Sequence, residues 1–94
     1  MSNCISMAQL AWKAGKVVTG DRLIPAIQNQ EVYLVIVSSK CGNNRKKKLM
    51  DKCKFYEIPL WEIDALEFNQ ISLRSINSFG IIDKKFVQAM TKKG

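Results

Sequence analysis

The run Val32-Tyr33-Leu34-Val35-Ile36-Val37 constrains this chain more than any other feature. It is continuous, apolar and of strand length. It shows none of the polar alternation that a half-exposed strand needs, so it reads as a strand buried on both faces. Both faces then need cover from the same chain. With 94 residues there is one domain, 1–94, to supply it. A domain of this size hides only about 60–65% of its unfolded surface, so most of its apolar residues are needed inside. At 47% hydrophobic, the chain has enough of them.

Around this strand the pattern alternates. Residues 4–14 carry Cys4, Ile5, Met7, Ala8, Leu10, Ala11 and Trp12 at helical spacing, with Ser2 or Asn3 to cap the start and Gly15 to end it. Val17-Val18-Thr19 is a short strand. Asp21 is expected to cap a second helix from Arg22 to about Asn29, with Pro25 tolerated in its first turn. After a loop from Ser38 to Asn44, a third helix spans about Arg45–Tyr56. Leu49, Cys53 and Tyr56 form its inner face, and Lys47, Asp51 and Lys54 the opposite one. Ile58–Ile63 reads as a strand with Pro59 at its start. Asp64 caps a fourth helix, about Ala65–Leu73, with Leu66 and Phe68 offered to the core. Arg74–Ser78 is a polar loop and Phe79–Ile82 a last strand. Asp83 caps a final helix bearing Phe86, Val87 and Met90, and the tail from Thr91 to Gly94 is expected to fray. Strands alternating with helices give an α/β domain: a three-layer α/β/α sandwich whose central sheet has about four strands, with helices on both faces.

The charge narrows the function. Fifteen Lys and Arg against eight Asp and Glu give +7, which favours an anionic partner, most often nucleic acid. No twenty-residue apolar run exists, so no membrane span is expected. The first fourteen residues lack a charged start and a small-residue cleavage site, so no secretory leader is expected. There is no histidine, and the three cysteines (Cys4, Cys41, Cys53) are far apart. No metal site and no cofactor are expected, and free thiols fit a reducing cytoplasm. The carboxylates form no close pair, and Cys41 beside Lys40 would need an activator to act as a nucleophile. The chain therefore reads as a non-enzyme.

Two places suit an anionic ligand. In Lys16-Val17-Val18-Thr19-Gly20-Asp21-Arg22 a strand runs into a glycine and a helix start, where free N–H groups attract phosphate and the glycine admits close approach. Ile76, between Ser75 and Asn77, is placed to stack on an unpaired base or to tuck into the core. The densest charge, Arg45-Lys46-Lys47-Lys48, suits either phosphate contact or a solvated helix face. Four consecutive helical residues point in four directions, so one partner cannot meet them all.

Several stretches together resemble a known family. Leu10-Ala11-Trp12-Lys13-Ala14-Gly15-Lys16-Val17-Val18-Thr19-Gly20 is similar to the opening "L-A-x-R/K-A-G-K-L/V-V-S/T-G" of YlxQ-like bacterial proteins, a branch of the ribosomal protein L-seven-Ae superfamily. Leu34–Ser38 resembles its second strand. Asn44, Lys47-Lys48-Leu49, Asp51-Lys52-Cys53, Phe55-Tyr56 and Pro59 resemble "N-x-x-K-K-V/L-x-D-K-C-x-Y-Y-x-V-P", and Ile81-Ile82-Asp83-Lys84-Lys85-Phe86 resembles "V-T-D-x-x-F".

The resemblance implies a kink-turn RNA-binding fold, the kink-turn being a bent duplex with a bulge and tandem sheared G·A pairs. The turn at the start of the second helix meets guanine edges, here at Thr19, Gly20, Asp21 and Arg22. A loop before the last strand covers the flipped-out base, here at Ser75, Ile76 and Asn77. Lys16 and Lys40 flank these surfaces as phosphate contacts. Where the superfamily's kink-turn readers carry Asn-Glu and then Lys, this chain has Arg22-Leu23-Ile24-Pro25, and Phe68-Asn69 replaces the usual "L-G" of the fourth helix. The expectation is non-enzymatic binding of structured RNA in the cytoplasm, kink-turn or ribosome-associated. The RNA would be ribosomal or another non-coding RNA, with ribosomal or other RNA-binding proteins as further partners. The alternative is a protein-interaction adaptor of the same fold that has lost specific RNA recognition.

Overall fold

A computed structural model of the chain describes residues 2–71 and 76–91. In chain order these form α1 (Ser2–Lys13), β1 (Val17–Thr19), a 3-10 turn (Gly20–Arg22), α2 (Leu23–Gln28), β2 (Leu34–Ser38), α3 (Asn43–Phe55), β3 (Leu60–Ile63), α4 (Ala65–Ile71), β4 (Ser78–Ile81) and α5 (Lys84–Thr91). The four strands make one sheet in the order β1-β4-β2-β3. β4 is antiparallel to both β1 and β2, and β3 is parallel to β2. The first three strands therefore run the same way, and β4 returns between β1 and β2.

β2 is buried along its whole length, as its unbroken apolar run demands. Its side chains alternate between two cores. Leu34 and Ile36 join Ala8, Ala11, Phe68, Phe79, Ile81 and Val87 under α1, α4 and α5. Val35 and Val37 join Leu23, Ile27, Leu49 and Cys53 under α2 and α3. The expected three-layer sandwich is thus present. Phe79 anchors the first core, with its ring edge-on to Trp12 at 5.3 Å and tilted against Phe68 at 5.4 Å. Both tryptophans lie half-buried against this core. Ile76 also tucks against it.

In the second core, β4 offers Gly80 where a larger residue has no room. A Cβ there would stand 2.8 Å from Leu23 Cδ1 and 2.8 Å from Val32 Cγ1. The glycine lets α2 lie close on the sheet.

Several local signals act as the sequence suggests. α1 ends with Gly15 at φ 71°, Gly15 N–H donating to Trp12 O and Lys16 N–H to Ala11 O. Asp64 caps α4 by accepting from Leu66 N–H at 3.0 Å, and Asp83 caps α5 by accepting from Lys85 N–H at 2.8 Å. Leu49 and Cys53 are buried, while Lys47, Asp51 and Lys54 face solvent.

Other expectations need correction. Asp21 does not cap the second helix: Gly20–Arg22 winds as a 3-10 turn, and α2 starts at Leu23 with no side-chain cap. Leu66 is 75% exposed rather than in the core, because Ala65, Phe68 and Ile71 form the inner face of α4. β1 spans Val17–Thr19 as expected, whereas the other three strands differ by one or two residues from their apolar runs. Val32 and Tyr33 precede β2, Ile58 and Pro59 precede β3, and β4 begins at Ser78. α3 starts at Asn43, before its charged run. Leu73, Arg74, Ser75 and residues 92–94 lie outside the described residues.

Candidate functional site

The directions of the strands bring one set of ends together. β1, β2 and β3 all finish where β4 begins: Thr19 stands beside Phe79, Val37 beside Ser78, and Ser38 beside Ile63. In open sheets built from such units, ligands collect at the carboxyl ends of the parallel strands. A groove of about 320 Å³ lies there, lined by Gly20, Asp21, Cys41, Gly42, Arg45, Ile76, Asn77 and Ser78.

Backbone geometry builds its walls. Gly20 has φ 61°, a left-handed conformation that a side chain disfavours, and nothing lies within 4 Å of where its Cβ would be. The backbone is therefore open to a ligand at this turn. Opposite, Ser38 N–H donates to Asn77 O at 2.8 Å, tying the end of β2 to the loop before β4. Ser38 also accepts twice in its own turn, from Cys41 N–H at its carbonyl and from Lys40 N–H at its hydroxyl.

Arg45 joins the two sides. Its Nη2 donates to Gly20 O at 3.1 Å and its Nε to Ser78 Oγ at 3.4 Å. Both acceptors are uncharged, so the guanidinium charge is presented to the groove. Asp21 supplies a carboxylate, an acceptor only, on the same lining. Lys46, the next residue, turns away to pair with Glu62 at 2.8 Å. Lys47 and Lys48 are exposed elsewhere on the helix. Consecutive members of the basic run thus have separate surroundings.

Of the residues expected from sequence, Gly20, Asp21, Ile76 and Asn77 meet in this groove. Thr19 and Arg22 line an adjoining hollow with Val17, Val18 and Asp21, so Asp21 borders both. Lys40 is exposed and is not part of the lining, although it immediately precedes Cys41 and Gly42, which are. Lys16 does not join them. Its carbonyl accepts from Ile82 N–H at the far end of β1, a strand's length away. Ser75 lies outside the described residues.

Sequence reasoning missed Arg45, Cys41, Gly42 and Ser78 as groove residues. A signal for Arg45 was present. α3 follows β2 as the helical turn of α2 follows β1, so both helix starts fall at one edge of the sheet. Among the described residues no cluster of three or more metal-ligating side chains exists. Burial pushes the Cys53 thiol up to about 11, which keeps it protonated at neutral pH. Among the described residues no helix is long and apolar enough to cross a membrane.

No family model matches the chain. It is 35% identical over 86 residues to the RNA-binding protein YlxQ of Enterococcus faecium, covering 89% of this chain and 84% of that one. It is 37% identical over 57 residues to the RNA-binding protein YlxQ of Bacillus subtilis, covering 60% and 57%. A solved structure of a Bacillus halodurans protein of unknown function superposes at TM-score 0.83 with 33% identity, over 93% of this chain and 91% of the other.

Proposed function

The chain belongs to the YlxQ family, and from that membership we propose that it binds structured RNA, without catalysing a reaction, through the groove between Gly20 and Ile76. The observation that carries this reading is the Arg45 bridge. It holds a guanidinium beside an open glycine backbone and an apolar side chain, on a domain of net charge +7.

Each part suits a different feature of RNA. Lys40, exposed and next in the chain to the groove residue Cys41, neutralises phosphate, which supplies affinity without sequence information. Arg22 in the adjoining hollow is long and exposed enough to grip a guanine edge with two hydrogen bonds. Asp21 accepts from a base amino group. Ile76 offers an apolar surface to a base flipped out of a helix. Leu23, at the place of the superfamily's reading glutamate, is fully buried and contributes packing instead. Guanine contacts therefore fall to Arg22 and Asp21. Lys16 meets only RNA that extends past β1. A kink-turn is the first structured RNA to test, ahead of other ribosomal or non-coding RNA, and the site of action is the cytoplasm.

The test is a titration at about 150 mM salt, where exposed charges further apart than about 8 Å are largely screened. One RNA holds a kink-turn, and its control has Watson–Crick pairs in place of the sheared G·A pairs. The expected result is preference for the kink-turn, with Arg22→Ala weakening that binding about 5- to 150-fold, the range of a bidentate base contact. Lys47→Ala, on the solvent face, weakens it less. Equal binding of both RNAs would leave a general binder of structured RNA. Binding to neither would shift the reading to the protein-interaction adaptor, and a larger loss from Lys47→Ala would move the interface to the outer face of α3.

A further inference from the structure

We propose that α3 carries a second RNA contact, for an unpaired base that stacks on Phe55 at the end of a basic stripe leading from the groove. The proposal rests on the RNA-binding reading and goes beyond the groove.

Arg45, Lys48, Lys52 and Phe55 are spaced three, four and three residues apart, which places them along one flank of the helix. Leu49 and Cys53 turn to the core beside them, and Lys47 and Lys54 occupy the opposite side. The stripe begins at the groove with Arg45 and runs for about 15 Å at 1.5 Å per residue. At its far end a hollow of about 520 Å³ is lined by Lys48, Asp51, Lys52, Phe55 and Tyr56.

Phe55 is 77% exposed, the most exposed large apolar side chain among the described residues. Its ring stands edge-on to Tyr56 at 4.9 Å and 80°, and Tyr56 packs against the α2–α3 core. The ring is thus braced from behind while open to solvent. A single exposed apolar residue is ordinary. A braced aromatic ring in a hollow with two lysines is the combination that binds unpaired nucleotides: the cations track the backbone while a base stacks on the ring. The charge decides between occupants. From Asn43 to Phe55 the helix holds six basic residues and one acidic residue, Asp51. That composition complements a polyanion continuing out of the groove better than an apolar protein surface.

The experiment compares a blunt-ended hairpin that holds the kink-turn with the same hairpin carrying a short unpaired uridine tail, titrated against the whole chain at about 150 mM salt. The wild type is expected to prefer the tailed hairpin by about fivefold or more, the lower end of one base–aromatic stack. Phe55→Ala is expected to erase that preference and Phe55→Trp to keep it. Lys48→Ala with Lys52→Ala should weaken tailed-hairpin binding more than Lys47→Ala with Lys54→Ala, which removes equal charge from the other side. The proposal is overturned if the wild type shows no tail preference, if Phe55→Ala retains it, or if the two lysine pairs lose equally. In each of those outcomes binding of the blunt hairpin still stands for the groove. Failure of the wild type to bind either hairpin overturns both readings.

Discussion

Gly80 and Arg45 show opposite relations between a residue's chemistry and what can be read from it. Gly80 sits inside a buried strand with Leu23 and Val32 pressed over it. Val32 is stiff at its branched Cβ, so an added methyl cannot be accommodated by a simple rotation. Gly80→Ala is expected to cost about 1–3 kcal/mol, the usual penalty of overpacking. That lowers the thermal midpoint by roughly 4–8 °C for each kcal/mol in a domain of this size. Differential scanning calorimetry checks it, and an unchanged midpoint would mean that α2 is free to lift away from the sheet. In the sequence Gly80 looks like an ordinary glycine in a strand, because its constraint comes from residues about fifty positions away. Arg45 was hidden differently. It heads a run of three lysines, and such runs commonly mark a solvated face. Its hydrogen bonds to Gly20 and Ser78 depend on where two strands end, which the run does not encode. Gly20 and Ile76 were legible because each carries its signal locally: a glycine between a strand and a helix, and an apolar residue in a polar loop.

Elements were legible where a side chain speaks to its own backbone. The carboxylates of Asp64 and Asp83 accept from N–H groups two residues on, and both helices start where those caps place them. Asp64→Ala is expected to cost about 0.5–2 kcal/mol. The loss should appear as faster amide exchange in the first turn of α4, with the β2 amides less affected. Uniform acceleration across the sheet would contradict a local capping role. The start of the second helix was harder. Asp21 has the composition of a cap, but Gly20 in a left-handed conformation turns the chain early, and the next residues wind as a 3-10 turn. Strand limits were displaced because apolar runs mark burial rather than pairing. Val32 is buried in the core without belonging to β2. Leu66 illustrates the same ambiguity on α4, where a short helix offers two apolar flanks and only one meets the sheet.

The layers of the whole molecule followed from alternation and from β2, since a strand that is apolar throughout needs helices on both sides. The order of the strands did not. Hydrophobicity carries no direction, and nothing in Ser78–Ile81 announces that it enters antiparallel between β1 and β2. This arrangement sets Phe79 between β1 and β2, opposite Thr19 on one side and Ile36 on the other. Phe79→Ala, which removes the ring between Trp12 and Phe68, is expected to cost about 3–5 kcal/mol. It should raise amide exchange in β1 and β2 together, and exchange confined to β4 would show that the strands open separately. The placement of β4 also imposes a chronology. Chains fold as they are made, from the first residues onward. Yet among the described residues β1 hydrogen-bonds to no strand but β4, and the hydroxyl that anchors Arg45 is on Ser78. Until Ser78–Ile81 has been made, one wall of the groove is missing and the other has nothing to lean on. The groove is therefore complete only after β4 has been made and has entered between its two neighbours, so its geometry is a late product of the chain's own order.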